Sequence, residues 1–573
     1  METLQQNNSD SELKKLDEKL KNLQSLQEEM VHRIEAALTY KQYPKWVKDY
    51  WTSRGKPLDF EDHKYLVQIY QDQSPDIRFQ KSAQQGVTER LVTEAIWLAD
   101  QFKENALYLF PTSGTMSELV QERVDEPINN NQYLLGVVGR VKRMFKHADK
   151  TSLKRMSRGF VYFRGSNKPT QITSVAADAI FVDELDRMEQ ESVPYFEKRM
   201  EHSLRKWQRW ASTPTIPGFG IHKLFLESDQ HEYFVRCNHC SELQNLTFQE
   251  NIVYSMKGEQ VEKADVICKK CRRVIVPYKL EGIWVPKERA SNVRGYFISQ
   301  LYSPRMEPIK LVRASLRPAE FEVQQFYNQN LGLPYEAKGA RLTEDTIKSC
   351  IRNYTLPMVP RIKNSDDEWE KEDEVIGVDV GRVLHVITRT AEKITDIRTI
   401  QHFFHDDGSD NLEDYINARD AKKIVVDAMP ETRQVQKLIG KFPGRVYMCR
   451  YTRVQDIMSE TQQEDDEEDD GDSQRYYRIK ESEVQTDRTI SLDIMYSKLF
   501  KQKIQLPKNI DGYQEYKDHL KALVRYQEKA KDGNYKVEYK EVSADHYAHA
   551  QNYADIAMHL FDYDFIPSVI TIG

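Results

Sequence analysis

The 573-residue sequence lacks several features that would assign it to other protein classes. It has no apolar run long enough to cross a bilayer, and its amino terminus (METLQQNNSDSELKK) has no signal-peptide core. We therefore expect a cytosolic protein with no membrane association. A net positive charge is also missing. The formal charge is −7, so bulk charge gives no sign of a nucleic-acid partner and leaves only local basic patches for that role.

Cysteine is scarce, with six residues in the chain. Four of them form two C-x-x-C pairs separated by 27 residues and flanked by strand-like sequence: Cys237, Cys240, Cys268 and Cys271. This spacing is typical of a closed tetrahedral zinc site with four cysteine ligands and is hard to reconcile with scattered structural thiols. A closed site is structural, and His239 should lie outside it. We predict a zinc ribbon over about residues 233–275.

A standard phosphate-binding loop, G-x-x-x-x-G-K-[ST], is absent as well. A related layout occurs where a short strand at 76–80 is followed by KSAQQGVT (81–88) and by helix-forming sequence from 89 to about 103. Loop amides and the helix amino end would face an anion, and the Thr88 hydroxyl could reach Mg²⁺. The match is weak by itself, because Val87 precedes Thr88 and the only lysine, Lys81, begins the loop.

The most informative stretch of the first half is AIFVDE, residues 179–184. An apolar, partly β-branched run ending in two acids predicts a buried parallel strand, with Asp183 and Glu184 at the edge where open α/β sheets bind ligands. In P-loop ATPases the first acid holds the Mg²⁺ of the nucleotide, and a second acid can polarise the attacking water. A strand that merely ends in surface acids is the alternative. Together with the loop 81–88, the acid pair predicts ATP hydrolysis.

Other segments complete an α/β sheet. The strand candidates are ALYLF (106–110), VYF (161–163) and WQRWAS (207–212). The first leads into PTSGT, a loop suited to anion contact. The last leads into S-T-P at 212–214, where motor ATPases sense the γ-phosphate and couple hydrolysis to movement. The basic stretch between Lys142 and Arg158 is either a solvated helix face or a surface for the DNA backbone.

Residues 1–40 predict an amphipathic helix, since apolar residues recur at three- and four-residue steps between 13 and 34 without Gly or Pro. It is either a short coiled coil that binds a partner or a helix packed on its own domain. We assign residues 41–355 to the ATPase domain, including the zinc ribbon. The proline- and charge-rich segment 356–374 is assigned to a linker.

Residues 375–573 have a different pattern. Asp379 lies inside a strand at 374–381 with a hairpin partner at 384–387, Asp427 ends a strand at 424–427, and Asp545 introduces a helix. Three carboxylates from two adjacent strands and a nearby helix suit a two-metal phosphodiesterase of the RNase H type, using Mg²⁺ or Mn²⁺. Each acid alone is ordinary, and Glu431 is a reserve ligand. The acidic run at 464–472 predicts a disordered insertion (about 460–475).

The order of these parts resembles the large terminase subunit of tailed phages, particularly its lambda-type branch. That branch has the loop K-S-A-x-x-G-x-[ST], as at 81–88, a strand ending in P-T, as at 111–112, an acid pair and an S-T-P loop. A C-x-x-C pair precedes G-[FY]-x-x-x-x-L-Y-S-P, as at 295–304. An F-x-N-x-x-L-G-x-P-Y segment follows, as at 326–335. The resemblance runs from about residue 45 to 562.

The resemblance implies a motor that docks on the portal of a procapsid, pumps double-stranded DNA into it with ATP, and cleaves concatemeric DNA in the host cytoplasm. It further implies a homo-oligomer on the portal and a small terminase subunit as partner. The ATP site would comprise Lys81, Ser82, Gly86, Thr88, Asp183, the base Glu184, and the coupling residues Ser212 and Thr213. The nuclease metals would be held by Asp379, Asp427 and Asp545.

Two positions depart from the family pattern. Glu89 stands where some relatives have a second lysine, so Lys81 would carry the phosphate role alone. His549 stands where many relatives have an aspartate, and we leave it out of the ligand set. An arginine should complete the ATP site, but the sequence does not distinguish between Arg78, Arg123 and Arg164.

The predicted fold class is therefore α/β: a P-loop (RecA/ASCE-like) ATPase domain with a zinc-ribbon insertion, followed by an RNase H-like nuclease domain. The alternative enzyme is a helicase-nuclease of DNA repair or defence. That enzyme should carry helicase motifs after the motor, and residues 280–360 contain none. A non-catalytic scaffold with degenerate active sites is the alternative from another class, and ATP turnover would exclude it.

Overall fold

The computed structural model describes residues 42–53, 55–102, 104–144, 149–167, 169–258, 260–363, 368–404, 410–452, 477–529 and 535–564. The predicted amino-terminal helix and acidic insertion lie outside these residues. Two compact units make up the chain, Met1–Tyr335 and Glu336–Gly573, and each is described by itself. Among the helices that the structure describes, none is both long enough and apolar enough to cross a membrane.

The first unit contains fifteen described strands. They are β1 Thr52–Ser53, β2 Lys56–Pro57, β3 Asp76–Lys81, β4 Ala106–Phe110, β5 Asp149–Lys150, β6 Leu153–Arg155, β7 Phe160–Gly165, β8 Ala179–Asp183, β9 Trp207–Ser212, β10 His231–Arg236, β11 Leu243–Asn245, β12 Ile252–Lys257, β13 Gln260–Val266, β14 Gly282–Pro286 and β15 Arg294–Ile298.

The first unit also contains twelve described α-helices. They are α1 Tyr43–Tyr50, α2 Lys64–Gln71, α3 Val87–Gln101, α4 Ser113–Val120, α5 Glu126–Asn130, α6 Gln132–Met144, α7 Pro169–Thr173, α8 Val193–Glu197, α9 Gly220–Leu226, α10 Phe248–Asn251, α11 Pro308–Ser315 and α12 Glu320–Gln325.

Eleven strands form one sheet in the order β11-β10-β15-β3-β9-β8-β4-β7-β6-β5, with β14 paired to β10. The seven strands from β10 to β7 are mutually parallel. Strands β4 and β8 are buried along their whole length, as expected for apolar runs covered on both faces. The predicted strands at 76–80, 106–110, 161–163, 179–183 and 207–212 are thereby confirmed.

Helix α3 is buried on nearly every side, which its sequence alone does not explain. The Tyr43 hydroxyl of α1 lies 2.6 Å from the Thr93 hydroxyl on its outer side. On its inner side, Glu94 receives hydrogen bonds from Arg90 and from Arg209 of β9. All three side chains of this ion cluster are fully buried, so it ties the helix to the sheet. The helix begins at Val87, two residues before the predicted start.

The second unit has its own sheet. Its described strands are β16 Ile351–Arg352, β17 Arg361–Lys363, β18 Trp369–Lys371, β19 Val375–Val380, β20 Leu384–Arg389, β21 Ile394–Ile400, β22 Lys423–Asp427, β23 Val446–Tyr451, β24 Tyr477–Lys480, β25 Glu483–Thr486, β26 Leu506–Pro507, β27 Leu523–Lys529 and β28 Tyr535–Glu541. Its described α-helices are α13 Glu344–Ser349, α14 Leu412–Arg419, α15 Thr432–Lys441, α16 Arg488–Phe500, α17 Gln514–Ala522 and α18 His546–Asp564.

Seven of these strands are ordered β21-β20-β19-β22-β23-β25-β24. The first three are antiparallel, and β19, β22, β23 and β25 are mutually parallel. Helix α18 packs directly on β19. A Cβ atom at Gly377 would lie 2.1 Å from backbone atoms of Ala550 and Ala554, so only glycine permits this approach.

The boundary between the units differs from the predicted one. Residues 336–355, which the sequence analysis placed in the ATPase domain, belong to the second unit. The physical reason is that Leu342, Ile347 and Cys350 enter its core and β16 pairs with β26. The predicted linker 356–374 also contains ordered structure, because β17 and β18 form an antiparallel pair.

Candidate functional sites

The predicted phosphate loop lies at the carboxyl end of β3, between strands β15 and β9. Two residues in it adopt left-handed backbone angles, Gln84 (φ 58°) and Gly86 (φ 78°). The amides of Ser82 and Ala83 do not face the loop's interior, because they donate to the carbonyls of Ile298 and Gln329 (2.8 Å each). Amides that bind an anion must therefore come from residues after Ala83. The prediction that the loop amides face an anion therefore applies only to the amides after Ala83.

Thr88 and Asp183 come together although 95 residues separate them. The Thr88 hydroxyl donates to Asp183 Oδ2 at 2.8 Å, and the Tyr108 hydroxyl donates to the same oxygen at 3.1 Å. The sheet order β3-β9-β8 produces this contact, because the carboxyl ends of parallel strands share one edge. Burial raises the pKa of Asp183, while the Lys81 charge opposes that shift.

Glu184 lies beside two cations. Lys81 Nζ is 3.5 Å from its Oε1, and Arg187 Nε is 3.9 Å from its Oε2. Burial alone would raise the pKa of Glu184, but these two charges outweigh it and the pKa is lowered. The residue adopts a left-handed backbone (φ 61°), which is uncommon for a residue other than glycine. Neighbouring acids with opposite pKa shifts suit a metal ligand beside a base.

Two of the three arginines proposed from the sequence are engaged away from the acid pair, and the third lies beside the residue that follows Thr88. Arg78 pairs with Asp76 and Glu227, and the Arg164 guanidinium donates to the carbonyl of Ser152. Arg123 lies 3.4 Å from Glu89. Sequence reasoning missed Arg187, which stands three residues after Glu184 and is about half exposed. The sequence did contain a signal for Arg187, namely its position three residues after Glu184 in the turn Leu185–Arg187.

The predicted coupling loop (212–214) is linked to the acid pair through Asp186. The Asp186 amide donates to Ser212 Oγ at 3.1 Å. Its carboxylate accepts hydrogen bonds from the amide and hydroxyl of Thr215 and from the Ile221 amide, all at 2.8 Å. The segment after Glu184 is therefore tied to the loop after β9. Thr213 is buried, and its carbonyl accepts from Ser212 Oγ at 3.1 Å.

The segment 326–335 supports both loops. The Gln329 carbonyl receives the Ala83 amide, and Asn328 Nδ2 donates to the Thr215 carbonyl at 2.8 Å. Gly332 has φ 72°, and a Cβ atom there would lie 2.7 Å from the Ser82 amide nitrogen. This contact explains why a segment so distant in sequence from the phosphate loop belongs to the same site.

The four cysteines of the C-x-x-C pairs lie close together. Cys237 Sγ is 3.9 Å from Cys271 Sγ, and Cys240 Sγ is 3.7 Å from Cys268 Sγ. All four sulfur atoms fall within 4.8 Å of one another, which suits a tetrahedral ion with bonds of about 2.3 Å. The His239 ring contacts the Val274 carbonyl (3.1 Å), as its predicted position outside the site requires.

Both knuckles share a local design. The residue after each second cysteine, Ser241 or Arg272, has φ 60°, and its amide donates to the carbonyl of the first cysteine. Burial opposes ionisation of Cys268, but backbone amides of Cys271 and Lys270 lower its pKa to about 6. The hairpin β12–β13 lies between the knuckles. The geometry is compatible with the predicted zinc site.

The predicted nuclease acids occupy one edge of the second sheet. Asp379 lies near the end of β19, and Asp427 ends the parallel neighbour β22. Burial raises the pKa of Asp427 to about 6, and the Asp379 charge adds to this shift. Burial would also raise the pKa of Asp545. The contact with His549 and the charges of His549 and Arg488 outweigh it, so the pKa of Asp545 is lowered.

Within the described residues, these three carboxylates do not form one group whose ligand atoms all lie within 4.8 Å of one another. Asp379 groups with His385 and His546, while Asp545 groups with Glu541 and His549. His549, which the sequence analysis left out, lies 3.2 Å from Asp545. The reserve ligand Glu431 is exposed and belongs to neither group.

The basic stretch 142–158 is partly structural. Lys154 is buried and pairs with Asp125 at 2.7 Å, and the Arg155 guanidinium lies over the Phe160 ring. The side chains of Lys142, Arg143 and Lys146 fall outside the described residues.

Residues 66–282 match the family model described as phage terminase large subunit gpA, ATPase domain. Over these residues the chain is similar to the ATPase domain of phage terminase large subunits. The matched range contains the loop 81–88, the acid pair, the coupling loop and all four clustered cysteines. The comparison with curated proteins found no match.

Several solved structures of large terminases are similar to the chain. The large terminase of bacteriophage HK97 has 9% identity and a TM-score of 0.46, covering 90% of this chain and 98% of that one. The large terminase of a thermophilic bacteriophage has 13% identity and a TM-score of 0.29, with coverage of 87% and 98%. The large terminase ATPase domain of Thermus phage P74-26 has 11% identity and a TM-score of 0.28, with coverage of 48% and 93%.

Proposed function

We propose that the chain is a DNA-packaging terminase large subunit that hydrolyses ATP in its first unit and cleaves double-stranded DNA in its second. The contact between Thr88 and Asp183 (2.8 Å) carries the ATPase part, because it joins the two halves of a nucleotide site. The family match over residues 66–282 supports the same activity. Docking on a procapsid portal, oligomerisation there, and a small-subunit partner belong to this proposal.

In the ATPase, Lys81 and amides after Ala83 bind the phosphates. Thr88 and Asp183 would hold the Mg²⁺ that accompanies ATP, and this ion would neutralise charge on the transferred phosphate. Glu184 is placed to orient the attacking water and to accept its proton. Because Asp186 is hydrogen-bonded to Ser212 and Thr215, a movement of the acid pair during hydrolysis would also move these two residues.

The nuclease part of the proposal is an RNase H-like domain. Its support is the strand order β21-β20-β19-β22-β23, with three antiparallel strands followed by parallel ones, and acids at the ends of β19 and β22. Bound divalent ions would activate water and stabilise the leaving oxygen. The four clustered cysteines are proposed to hold a structural Zn²⁺, which fits their sulfur separations.

Two separate assays test the proposal. ATP hydrolysis should fall at least about 100-fold in Glu184→Gln, the range expected for loss of a general base. It should persist in Asp379→Asn. Plasmid cleavage with Mg²⁺ or Mn²⁺ should be retained in Glu184→Gln and lost in Asp379→Asn.

Exposed acids on the same segments provide controls: Glu189→Gln, five residues after Glu184, for the ATPase, and Asp373→Asn, just before β19, for the nuclease. If the wild type hydrolyses ATP but never cuts DNA, the second unit is a binding domain and only the motor assignment survives. Strand separation by the wild type would instead favour the helicase-nuclease alternative.

A further inference from the structure

Gln244 of β11 lies fully buried beside the second cysteine knuckle. Its side-chain oxygen, Oε1, accepts hydrogen bonds from the backbone amide of Lys269 at 2.9 Å and from Asn251 Nδ2 at 3.0 Å. Lys269 directly follows Cys268, so Gln244 is held against one of the four predicted zinc ligands. The prediction from cysteine spacing gives this side chain no role.

These two contacts fix the orientation of the Gln244 side-chain amide. A backbone N–H can only donate, so the atom that receives Lys269 must be the oxygen and the other atom must be the nitrogen. That nitrogen, Nε2, is buried and has no hydrogen-bond partner among the residues that the structure describes. Since native structures rarely leave a buried donor unpaired, we expect an acceptor at this position.

The sulfur atom of Cys268 is the acceptor that suits this donor. Asn251, which holds Gln244, also donates to the Ile267 carbonyl at 2.9 Å. Gln244 and Asn251 therefore hold the chain on both sides of Cys268, which is itself fully buried. Burial opposes ionisation of the Cys268 thiol, but backbone amides and the Gln244 side chain outweigh it and lower its pKa to about 6.

A zinc ion with four thiolate ligands needs such donors. The negative charge of four thiolates exceeds the charge of the ion, and two of the sulfur-bearing residues, Cys237 and Cys268, are buried. Hydrogen bonds to an ionised acceptor are strong and stabilise its charge where water has no access. Cys237 Sγ receives the backbone amide of His239 at 3.4 Å. A side-chain donor at Cys268 would serve the same purpose, and a substitution can remove it.

We propose that Gln244 Nε2 donates to the Cys268 thiolate when zinc is bound, and that this hydrogen bond raises the zinc affinity of the site. Gln244 is a positioning residue and not a ligand, because it acts on the ion through the sulfur of Cys268. The inference rests on the proposed zinc site and adds a residue to it that the cysteine spacing does not contain. Without the donor, the Cys268 sulfur carries more negative charge.

The test uses the full chain with Co²⁺ in place of zinc. Cobalt bound to thiolates gives a sulfur-to-metal charge-transfer band, which cobalt bound to carboxylates lacks, and competition with a chromophoric chelator gives the zinc affinity. Gln244→Met keeps the length of the side chain but has no N–H. We expect its cobalt band to move to lower energy and its zinc affinity to fall at least about tenfold. Gln249→Met, at an exposed position five residues later, is the matched control and should behave as the wild type.

The cobalt band separates a hydrogen bond to sulfur from bracing of the knuckle. A Gln244→Met variant with an unshifted band would overturn the inference, whether or not its zinc affinity falls, because Gln244 would then only brace the chain. If Gln244→Met fails to fold, Gln244→Glu decides. It keeps an oxygen for Lys269 and Asn251, and in alkaline buffer its ionised carboxylate offers Cys268 no donor, so the same shift is expected and an unshifted band overturns the inference. A wild type without any cobalt–thiolate band would instead show that the proposed zinc site is wrong.

Discussion

Lys81 Nζ lies 3.5 Å from Glu184 Oε1, so the proposed phosphate ligand and the proposed catalytic base contact each other. Each side chain partly neutralises the charge of the other. An arriving triphosphate offers Lys81 more negative charge than one carboxylate does. ATP binding should therefore separate the pair and release Glu184 for catalysis.

This contact predicts opposite effects for its two members. Lys81→Met should abolish measurable ATP binding, because the loop then lacks its only lysine. Glu184→Gln should bind ATP as tightly as the wild type or more tightly, since it removes a competitor for Lys81, while phosphate release falls. A fluorescent ATP analogue measures the first quantity and a phosphate-release assay the second. Weaker ATP binding by Glu184→Gln would contradict the competition between carboxylate and phosphate.

A second prediction concerns the support of the phosphate loop by Gly332. In Gly332→Ala the new methyl group would meet the Ser82 amide at 2.7 Å and displace the start of the loop. We expect ATPase activity to fall at least about tenfold, with a destabilisation of about 1–3 kcal/mol typical of overpacking. Steady-state hydrolysis and thermal unfolding measure the two effects.

The control for this substitution is Gly218→Ala, in the same unit. Gly218 has nearly the same backbone angle (φ 76° against 72°), but nothing lies within 4 Å of the position that an added methyl group would take. Both variants share the strain of a left-handed alanine, so the difference between them isolates contact with the loop. Equal ATPase losses would mean that backbone strain, and not the Ser82 contact, is responsible.

A third prediction concerns the four cysteines. The purified chain should carry one equivalent of zinc, and Cys268→Ser should lose most of it, because three ligands no longer close the tetrahedron. Zinc content by elemental analysis checks this directly. Cys350→Ser, a buried thiol in the second unit, should keep the full equivalent. Full zinc retention by Cys268→Ser would exclude a site with four cysteine ligands.

Much of the three candidate sites was predictable from the sequence, because their residues follow short-range patterns. Apolar runs ending in acids identified β8 and β22, an apolar run with an acid in its interior identified β19, and spacing alone identified the cysteine pairs. Contacts that depend on chain folding over long distances were not predictable. The Ser82 and Ala83 amides are used by Ile298 and Gln329, and no local pattern near the loop carries that information.

The second unit shows the same limit. His385 faces Asp379 only because of the hairpin register, and a shift by one residue would turn it to the opposite face. The boundary at 335 was likewise hidden, since the helix at 344–349 has an ordinary sequence. Its assignment depends on the core that Ile347 and Cys350 enter.

The last prediction concerns the buried ion cluster that joins α3 to β9. Burial alone would raise the pKa of Glu94, but Arg209 and Arg90 outweigh it and lower the pKa to about 2 from an ordinary value of 4.5. A carboxyl group with a lowered pKa stabilises the folded state fully above its unfolded pKa. That contribution is lost as the pH falls from about 4.5 through about 2.

Glu94→Gln should therefore destabilise the first unit at neutral pH by about 3–5 kcal/mol, since two buried arginines lose their counter-charge. Urea unfolding at several pH values measures this. The difference from wild type should shrink below pH 4.5, because the carboxyl group of the unfolded wild type then takes up a proton while that of the folded protein does not. The exposed Glu122→Gln, from the same unit, should match wild type at every pH. A destabilisation that stays constant down to about pH 2 would show that shape, and not charge, accounts for the effect of the substitution.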